Sequence, residues 1–159
     1  MTISENEQQR VIDWALRENA CTPEALLPVL HAIQDALQYI PELAFDALAH
    51  ALNLSRADIF GVISFYSDFR LQPPGRHLLR LCRAEACQAM GGRSLEAEVR
   101  RRLQIEFHAT TDDGHVTLEP VYCLGACACA PALTLDGSLH GRVDLARLSV
   151  LLDQLEIPR

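Results

Sequence analysis

The sequence predicts an α+β protein in which a helical half is followed by a half of mixed helices and strands. In the first half, apolar residues recur at helical spacing, and in the second half short apolar runs bounded by turn residues replace that pattern. Between the halves lies Gln72-Pro73-Pro74-Gly75, whose consecutive prolines lack backbone N–H donors and interrupt any helix. We therefore predict two domains, residues 1–72 and residues 76–159.

Four helices are predicted before this break. The second begins at Thr22-Pro23, an N-cap followed by a proline at the first helical position, and its apolar residues repeat as far as Ile40. The third opens at Pro41-Glu42, and the fourth opens at Ser55, which with Asp58 resembles a capping box. The residues expected to face a core are Val11, Ile12, Trp14, Ala15, Leu16, Leu26, Leu30, Ile33, Leu37, Ile40, Phe45, Leu48, Ala49, Leu52, Ile59, Phe60, Ile63 and Phe65.

The second half is predicted to contain both strands and helices. A charged amphipathic helix is expected at residues 94–105, and a final helix at 144–155. A tight turn is expected at Asp136-Gly137, between the last two strands. The expected strands are residues 78–81, 116–121, 133–135 and 139–143.

Four cysteines form two short pairs, each placed where a predicted strand ends. Cys82 and Cys87 are spaced C-x4-C, and Cys123 and Cys127 are spaced C-x3-C. If the two strands are neighbours in one sheet, the pairs meet at the same rim. A [2Fe–2S] cluster needs two thiolates on each of two irons, which two short loops can supply. These four cysteines are therefore the candidate cofactor ligands.

Glycines accompany both pairs. Gly125 lies between the cysteines of the second pair, where a missing side chain lets backbone N–H groups approach sulfur and raise the reduction potential. Gly91-Gly92 could act in the same way beside Cys87. Ordinary turn chemistry explains these glycines equally well.

Zinc is a competing metal, because it also binds four thiolates. Structural zinc sites commonly lie in compact knuckles with polar or basic surroundings, whereas the second loop here is rich in alanine and leucine. The apolar loop favours an iron–sulfur cluster. An interaction module stabilised by zinc remains the alternative from another class of function. A Rieske centre requires histidine ligands, and surface or hydrogen-bonded structural roles are expected for His77, His108, His115 and His140.

A thiol–disulfide enzyme is a further alternative. Its C-x-x-C motif is missing from the sequence, although Cys127 and Cys129 form a C-x-C that could cycle in principle. A bystander role is expected for Cys129. Cys21 is expected to be a small buried apolar residue.

Composition excludes several classes of function. The formal charge of −7 opposes binding to nucleic acid, and Arg100-Arg101-Arg102 is expected to be a solvated helix face. Neither a targeting segment nor a membrane span is expected, which predicts a cytoplasmic, reducing location where cysteines bind metals more readily than they form disulfides. Nucleotide-binding and catalytic motifs are also missing, so a bound cluster would exchange electrons with groups on another chain.

Several segments together are similar to the 24 kDa-type [2Fe–2S] subunit family of respiratory complex I, which includes small subunits of NAD-linked hydrogenases and formate dehydrogenases. Within that family, the cysteine segments look most like the gamma subunit of soluble NAD-dependent formate dehydrogenase. The segments are Tyr39-Ile40-Pro41-Glu42, Ile59-Phe60-Gly61-Val62-Ile63-Ser64-Phe65-Tyr66, Cys82-Arg-Ala-Glu-Ala-Cys87-Gln-Ala-Met-Gly91 and Tyr122-Cys-Leu-Gly-Ala-Cys-Ala-Cys-Ala-Pro-Ala132.

The resemblance implies an amino-terminal helical bundle followed by a thioredoxin-like domain that binds one [2Fe–2S] cluster. It implies that Cys82 and Cys87 bind one iron and that Cys123 and Cys127 bind the other. Cys129 lies outside this pattern. The implied partners are an FMN- and NAD-binding subunit and a molybdenum-containing catalytic subunit that oxidises formate, so the chain would be an electron-transfer subunit without an active site of its own. The equivalent subunit of a bidirectional hydrogenase or of complex I is the alternative.

Overall fold

The computed structural model describes residues 3–155. The chain divides into two compact units at the junction between Pro73 and Pro74. The first unit is helical, and the second combines a sheet with helices. Within residues 3–155, no helix combines the length and the apolar composition that crossing a membrane requires.

From residue 3 onward the helical unit contains four α-helices, and side-chain caps begin two of them. Ser4 caps the first helix by accepting a hydrogen bond from the Glu7 N–H. Ser55 and Asp58 form the predicted capping box at the start of the fourth, each side chain accepting from the other's backbone N–H. The helices are α1 (Glu5–Glu18), α2 (Leu26–Leu37), α3 (Leu43–Leu52) and α4 (Arg56–Phe65).

The helical core is formed by most of the apolar residues that the sequence predicts there. Three predicted core residues, Trp14, Phe60 and Phe65, are instead exposed, Phe65 to 79%. On α4, Ile59 and Ile63 face the core. Because successive helical residues are about 100° apart, Phe60 and Phe65 then point away from it. The fully buried residues of this core include Ile12, Val29, Leu30, Ile33, Ile40, Ala44, Leu48, Leu52 and Ile59.

The second helix differs from its prediction at both ends. Thr22 makes no side-chain cap, and a short 3-10 turn, Pro23–Ala25, precedes α2. Gln38 has a φ of +70°, which ends the helix before Ile40. Ile40 is still fully buried, and its N–H donates to the Arg70 carbonyl at 2.7 Å. The residue therefore joins the core from the connection between α2 and α3.

Gln34 connects α2 to the segment that leads out of the helical unit. Its side chain is buried, its Nε2 donates to the Asp68 carbonyl at 2.6 Å, and its Oε1 accepts from the Arg70 N–H at 2.8 Å. One side chain thus satisfies two backbone groups that no helix or strand pairs.

Gln34→Leu is expected to lower the free energy of unfolding of the helical unit by about 1–3 kcal/mol, because it leaves a backbone donor and acceptor without their partner. Urea denaturation followed by circular dichroism measures the change. Gln9→Leu is the control, because Gln9 bonds only Asp13 of its own exposed helix face and a change within about 0.5 kcal/mol is expected. Equal effects of the two substitutions would contradict the role given to Gln34.

The second unit contains a five-stranded sheet in the order β2-β3-β1-β4-β5. The central strand, β1, is parallel to its neighbour β3, and the remaining neighbours are antiparallel. The predicted turn at Asp136-Gly137 joins β4 to β5, with both residues at positive φ. The strands are β1 (His77–Cys82), β2 (Ala109–Thr110), β3 (Val116–Val121), β4 (Leu133–Leu135) and β5 (Ser138–His140).

As far as residue 155, three α-helices accompany this sheet. A single turn, α5 (Glu85–Cys87), continues into a wide turn, Gln88–Gly92, and then into α6 (Arg93–Leu103). The last helix, α7 (Leu145–Asp153), is capped by Asp144, whose side chain accepts from the Arg147 N–H. The sheet and the two long helices share one apolar core, which includes Leu79, Leu81, Leu95, Val99, Val116, Leu118, Leu133, Leu148 and Leu152.

Several expected boundaries in this unit, and one expected burial in the other, are wrong. The strand predicted at 139–143 is Ser138–His140, since the tight turn starts it one residue earlier, and Leu139 is exposed on this edge. The helix predicted at 94–105 ends at Leu103, because Gln104 has a φ of +56°. Strand β2 is only two residues long and was not expected. In the helical unit, Cys21 is exposed in the turn after α1 instead of buried.

The basic run lies on a partly exposed face of α6, in line with the predicted solvated face, and its arginines are also ion-paired. Arg101 pairs with Glu98 at 2.7 Å, and Arg102 pairs with Asp153 at 2.6 Å. Arg100 pairs with Glu96 and Glu106. Carboxylates therefore neutralise each of these guanidinium groups.

Candidate metal centre

Both cysteine pairs leave the sheet at the carboxyl ends of two neighbouring strands, β1 and β3. Strands β1 and β3 are parallel, and Cys82, the last residue of β1, lies opposite Val121, the last residue of β3. The Arg83 N–H donates to the Val121 carbonyl at 2.7 Å, which extends this pairing by one residue. Cys123 follows Val121 by two residues, so the convergence predicted from the strand ends is confirmed.

The first pair is buried and held by the backbone. Cys82 and Cys87 are 6% and 2% exposed, and Cys87 lies on α5 where the sequence suggested a loop. The Cys82 N–H donates to the Ala132 carbonyl at 3.1 Å, which ties β1 to the end of the second cysteine loop. A Cβ on Gly92 would lie 2.7 Å from the Cys87 carbonyl oxygen. Gly92 therefore permits a close packing contact with the Cys87 backbone. The suggestion that its N–H donates to sulfur stays a prediction.

The second pair is exposed. The Sγ atoms of Cys123 and Cys127 are 4.0 Å apart. Gly125, between them, has a φ of +71°, and its N–H donates to the Cys123 Sγ at 3.3 Å. The approach of a backbone N–H to sulfur, predicted from this glycine, is therefore confirmed.

Small apolar residues surround the site. Cys82, Cys87 and Ala132 form a buried cluster that is separate from the main core. Limited access of water at such a lining is one of the means by which a protein adjusts a redox metal site. The partly buried residues packed against this cluster are Ala84, Val121, Leu124, Ala126 and Ala130.

The thiols of the two loops influence one another electrostatically. Burial raises the pKa of the Cys87 thiol above its ordinary value, and Cys82 and Cys127 raise it further. The pKa of Cys127 is also raised, first by its hydrogen bond with Cys123 and then in part by Cys82. These influences cross from one loop to the other, between Cys87 and Cys127 and between Cys82 and Cys127. In the metal-free chain the two thiols therefore hold their protons more tightly, and a metal must displace them.

The donor set fits a binuclear cluster. Among residues 3–155, no three or more histidine, cysteine or acidic side chains lie close enough together to hold a single metal ion. The fit rests on the chemistry of the cysteines, which form two pairs with an apolar lining, since a [2Fe–2S] cluster takes two thiolates on each iron.

Cys129 has a structural role next to the second pair. It ends the 3-10 turn Cys127–Cys129, its N–H donates to the Ala126 carbonyl at 2.8 Å, and its carbonyl accepts from the Arg142 N–H at 2.6 Å. A Cβ on Gly141 would lie 2.7 Å from the Cys129 Cβ, so glycine permits this contact. The sequence carries no signal for Gly141 or Ala132, because their contacts with Cys129 and Cys82 join segments that are separated along the chain.

Of the four histidines considered, His77 and His108 behave as expected and His115 does not. His77 pairs with Asp136 at 2.8 Å, and His108 pairs with Glu119 at 2.6 Å. His115 was expected to be at the surface or hydrogen-bonded, but its Nδ1 is buried without a partner. The folding of the chain around the start of β3 produces this burial, which the local sequence does not reveal.

Comparison with known sequences finds relatives over most of the chain. Residues 12–156 match the family described as thioredoxin-like [2Fe-2S] ferredoxin. The chain is 39% identical over 119 residues to the E-type subunit of NADH-quinone oxidoreductase from Pseudomonas aeruginosa, a match that spans 75% of this chain and 72% of that protein. It is 32% identical over 130 residues to the corresponding protein of Escherichia coli strain K12, spanning 82% and 78% of the two chains.

Solved structures with the same fold are also found. The air-oxidized NAD+-reducing [NiFe]-hydrogenase matches with 25% identity and a TM-score of 0.70, over 87% of this chain and 24% of that one. This chain thus spans about a quarter of the hydrogenase chain that it matches. The match to the H2-reduced state, at 24% identity and a TM-score of 0.71, shows the shared fold. With the family match across nearly the whole sequence, this protein belongs to the thioredoxin-like [2Fe–2S] ferredoxin family, whose cofactor is a [2Fe–2S] cluster.

Proposed function

We propose that this chain is the electron-transfer subunit of an NAD-linked oxidoreductase complex, and that Cys82, Cys87, Cys123 and Cys127 bind its [2Fe–2S] cluster. The observation that carries the assignment is the emergence of both cysteine pairs from one edge of the parallel strands β1 and β3. When bound, such a cluster takes up and releases single electrons.

Each cysteine pair is assigned to one iron. The 4.0 Å between the Sγ atoms of Cys123 and Cys127 supports their sharing of one metal. Cys82 and Cys87, buried together among alanine side chains, are assigned to the other. The first pair excludes water from one side of the site, and the exposed second pair leaves the other side open to a redox partner.

The proposed redox partner is an FMN- and NAD-binding subunit. The names of the relatives support it, because one group belongs to NADH-quinone oxidoreductase and the other is an NAD+-reducing hydrogenase. In the proposed complex, electrons pass one at a time between this chain and the flavin, while hydride transfer to or from NAD takes place on the partner. We also propose a reducing, cytoplasmic location, where cysteines bind metals more readily than they form disulfides; none of the six cysteines is in a disulfide.

We further propose that the complete complex is a molybdenum-containing, NAD-dependent formate dehydrogenase. The two cysteine segments, Cys82–Gly91 and Tyr122–Ala132, support this choice by their similarity to the gamma subunit of that enzyme. The second candidate is a complex I or hydrogenase subunit, which the relatives favour. Affinity purification from the native source distinguishes them: a molybdenum subunit with formate-dependent NAD reduction supports the first, whereas a nickel subunit or a membrane arm contradicts it.

Protein purified without oxygen is expected to be brown, to contain about two irons and two sulfides per chain, and to bleach with dithionite. The colour arises from charge transfer between thiolate or sulfide and iron, which reduction weakens. Metal and acid-labile sulfide analysis with absorption spectroscopy makes the measurement. Colourless protein with stoichiometric zinc would contradict the assignment and favour a zinc-stabilised interaction module.

A further inference from the structure

Gly125 combines three properties in the second cysteine loop. Its backbone N–H donates to the Cys123 Sγ at 3.3 Å. Its φ of +71° lies in the left-handed region that residues with side chains rarely adopt. A Cβ at this position would meet no atom within 4 Å. Neighbouring atoms therefore do not require a glycine here, whereas the backbone conformation does.

The conformation of the whole loop between Cys123 and Cys127 decides where this N–H points. The N–H belongs to the Leu124–Gly125 peptide, so rotation about the Gly125 N–Cα bond does not by itself move it relative to Cys123. When Cys123 and Cys127 are both held as ligands, however, a residue that prefers negative φ forces a compensating rotation of this peptide, which moves the N–H away from sulfur. Most side chains at position 125 should thus weaken the hydrogen bond without creating a steric clash. The contribution of the N–H can for this reason be tested separately from packing.

A hydrogen bond to a ligand sulfur favours the reduced form of an iron–sulfur centre, because that form carries one more negative charge. Cys123 is exposed, so water can replace part of a lost hydrogen bond. Loss of the hydrogen bond from the Gly125 N–H is therefore expected to lower the reduction potential moderately.

We propose that Gly125 is a positioning residue that raises the reduction potential by holding its N–H on the Cys123 Sγ. The proposal rests on the assignment of Cys123 as a ligand under the proposed function. The step that it adjusts is the uptake of one electron from the redox partner, in which no covalent bond of the chain forms or breaks.

The test is a substitution series at one position. Asparagine tolerates the left-handed region better than alanine, and valine tolerates it least. The midpoint potential, measured by a redox titration followed by electron paramagnetic resonance, is expected to fall in the order wild type, Gly125→Asn, Gly125→Ala, Gly125→Val. For Gly125→Val we expect a three- to tenfold decrease in the equilibrium constant for reduction, about 28–59 mV for one electron.

The same three substitutions at Gly137 provide the control. Gly137 has a φ of +80° and equally open surroundings, but it lies in the turn between β4 and β5. This control series should leave the potential unchanged. An unchanged potential in the Gly125 series, an equal shift in both series, or loss of iron from all three Gly125 variants would overturn the proposal. Wild-type protein without a cluster would instead contradict the proposed function.

Discussion

Serine in place of Cys82, Cys87, Cys123 or Cys127 is expected to remove most of the bound iron or to shift the absorption spectrum of the centre. A serine hydroxyl ionises far less readily than a thiol, so it is a poor substitute for a thiolate ligand. The two buried positions should be affected most, because the apolar lining around Cys82 and Cys87 offers no other ligand and admits little water.

Two matched substitutions serve as controls for this prediction. Cys129→Ser makes the same chemical change in the turn that contains Cys127, and Cys21→Ser makes it in the helical unit. Both variants should retain wild-type iron, sulfide and absorption. A cluster lost from Cys129→Ser, or an unchanged spectrum after substitution at any of the four proposed ligands, would contradict the ligand assignment.

Gly92→Ala is expected to destabilise the second unit by about 1–3 kcal/mol and to lower its iron content, because it forces extra volume into a close backbone contact. The added Cβ would lie 2.7 Å from the Cys87 carbonyl oxygen and 3.0 Å from its carbonyl carbon. Gly92 has an ordinary φ of −54°, so the cost is steric and not conformational. Relief of the clash must move the backbone that holds Cys87.

Thermal unfolding and iron analysis of Gly92→Ala measure these effects. Gly61→Ala is a control of opposite sign, because Gly61 is exposed on α4 and a Cβ there would meet nothing within 4 Å. Alanine is favoured over glycine inside a helix by about 1 kcal/mol, so this variant should be more stable and retain its iron. Full iron content in Gly92→Ala would show that the contact with Cys87 does not hold the ligand.

Local signals predicted several elements with accurate boundaries. The strands Val116–Val121 and Leu133–Leu135, the capping box at Ser55 and the turn at Asp136-Gly137 all occur as expected. Each depends on residues within a few positions of one another. Such signals are complete in the sequence, because side-chain alternation, capping and left-handed turn geometry are local properties.

Burial was predicted less well than secondary structure. Trp14, Phe60 and Phe65 are apolar and lie on helices, yet they are exposed because other residues of the same helices already face the core. Cys21 is exposed although its small, apolar side chain suggested burial. An apolar residue identifies a helix face that can be buried, but the neighbouring helices determine which face is buried.

The sequence alone determined the four candidate thiols, their grouping into two pairs at strand ends and the glycine between the second pair, because spacing along the chain carries that information. Tertiary structure decided that β1 and β3 are parallel neighbours, that Cys82 and Cys87 are buried while Cys123 and Cys127 are exposed, and that Gly92 packs on Cys87. The first two features depend on contacts between segments far apart in the chain, and the third depends on how the chain turns between α5 and α6. Strand pairing and packing create them, and residue spacing alone cannot.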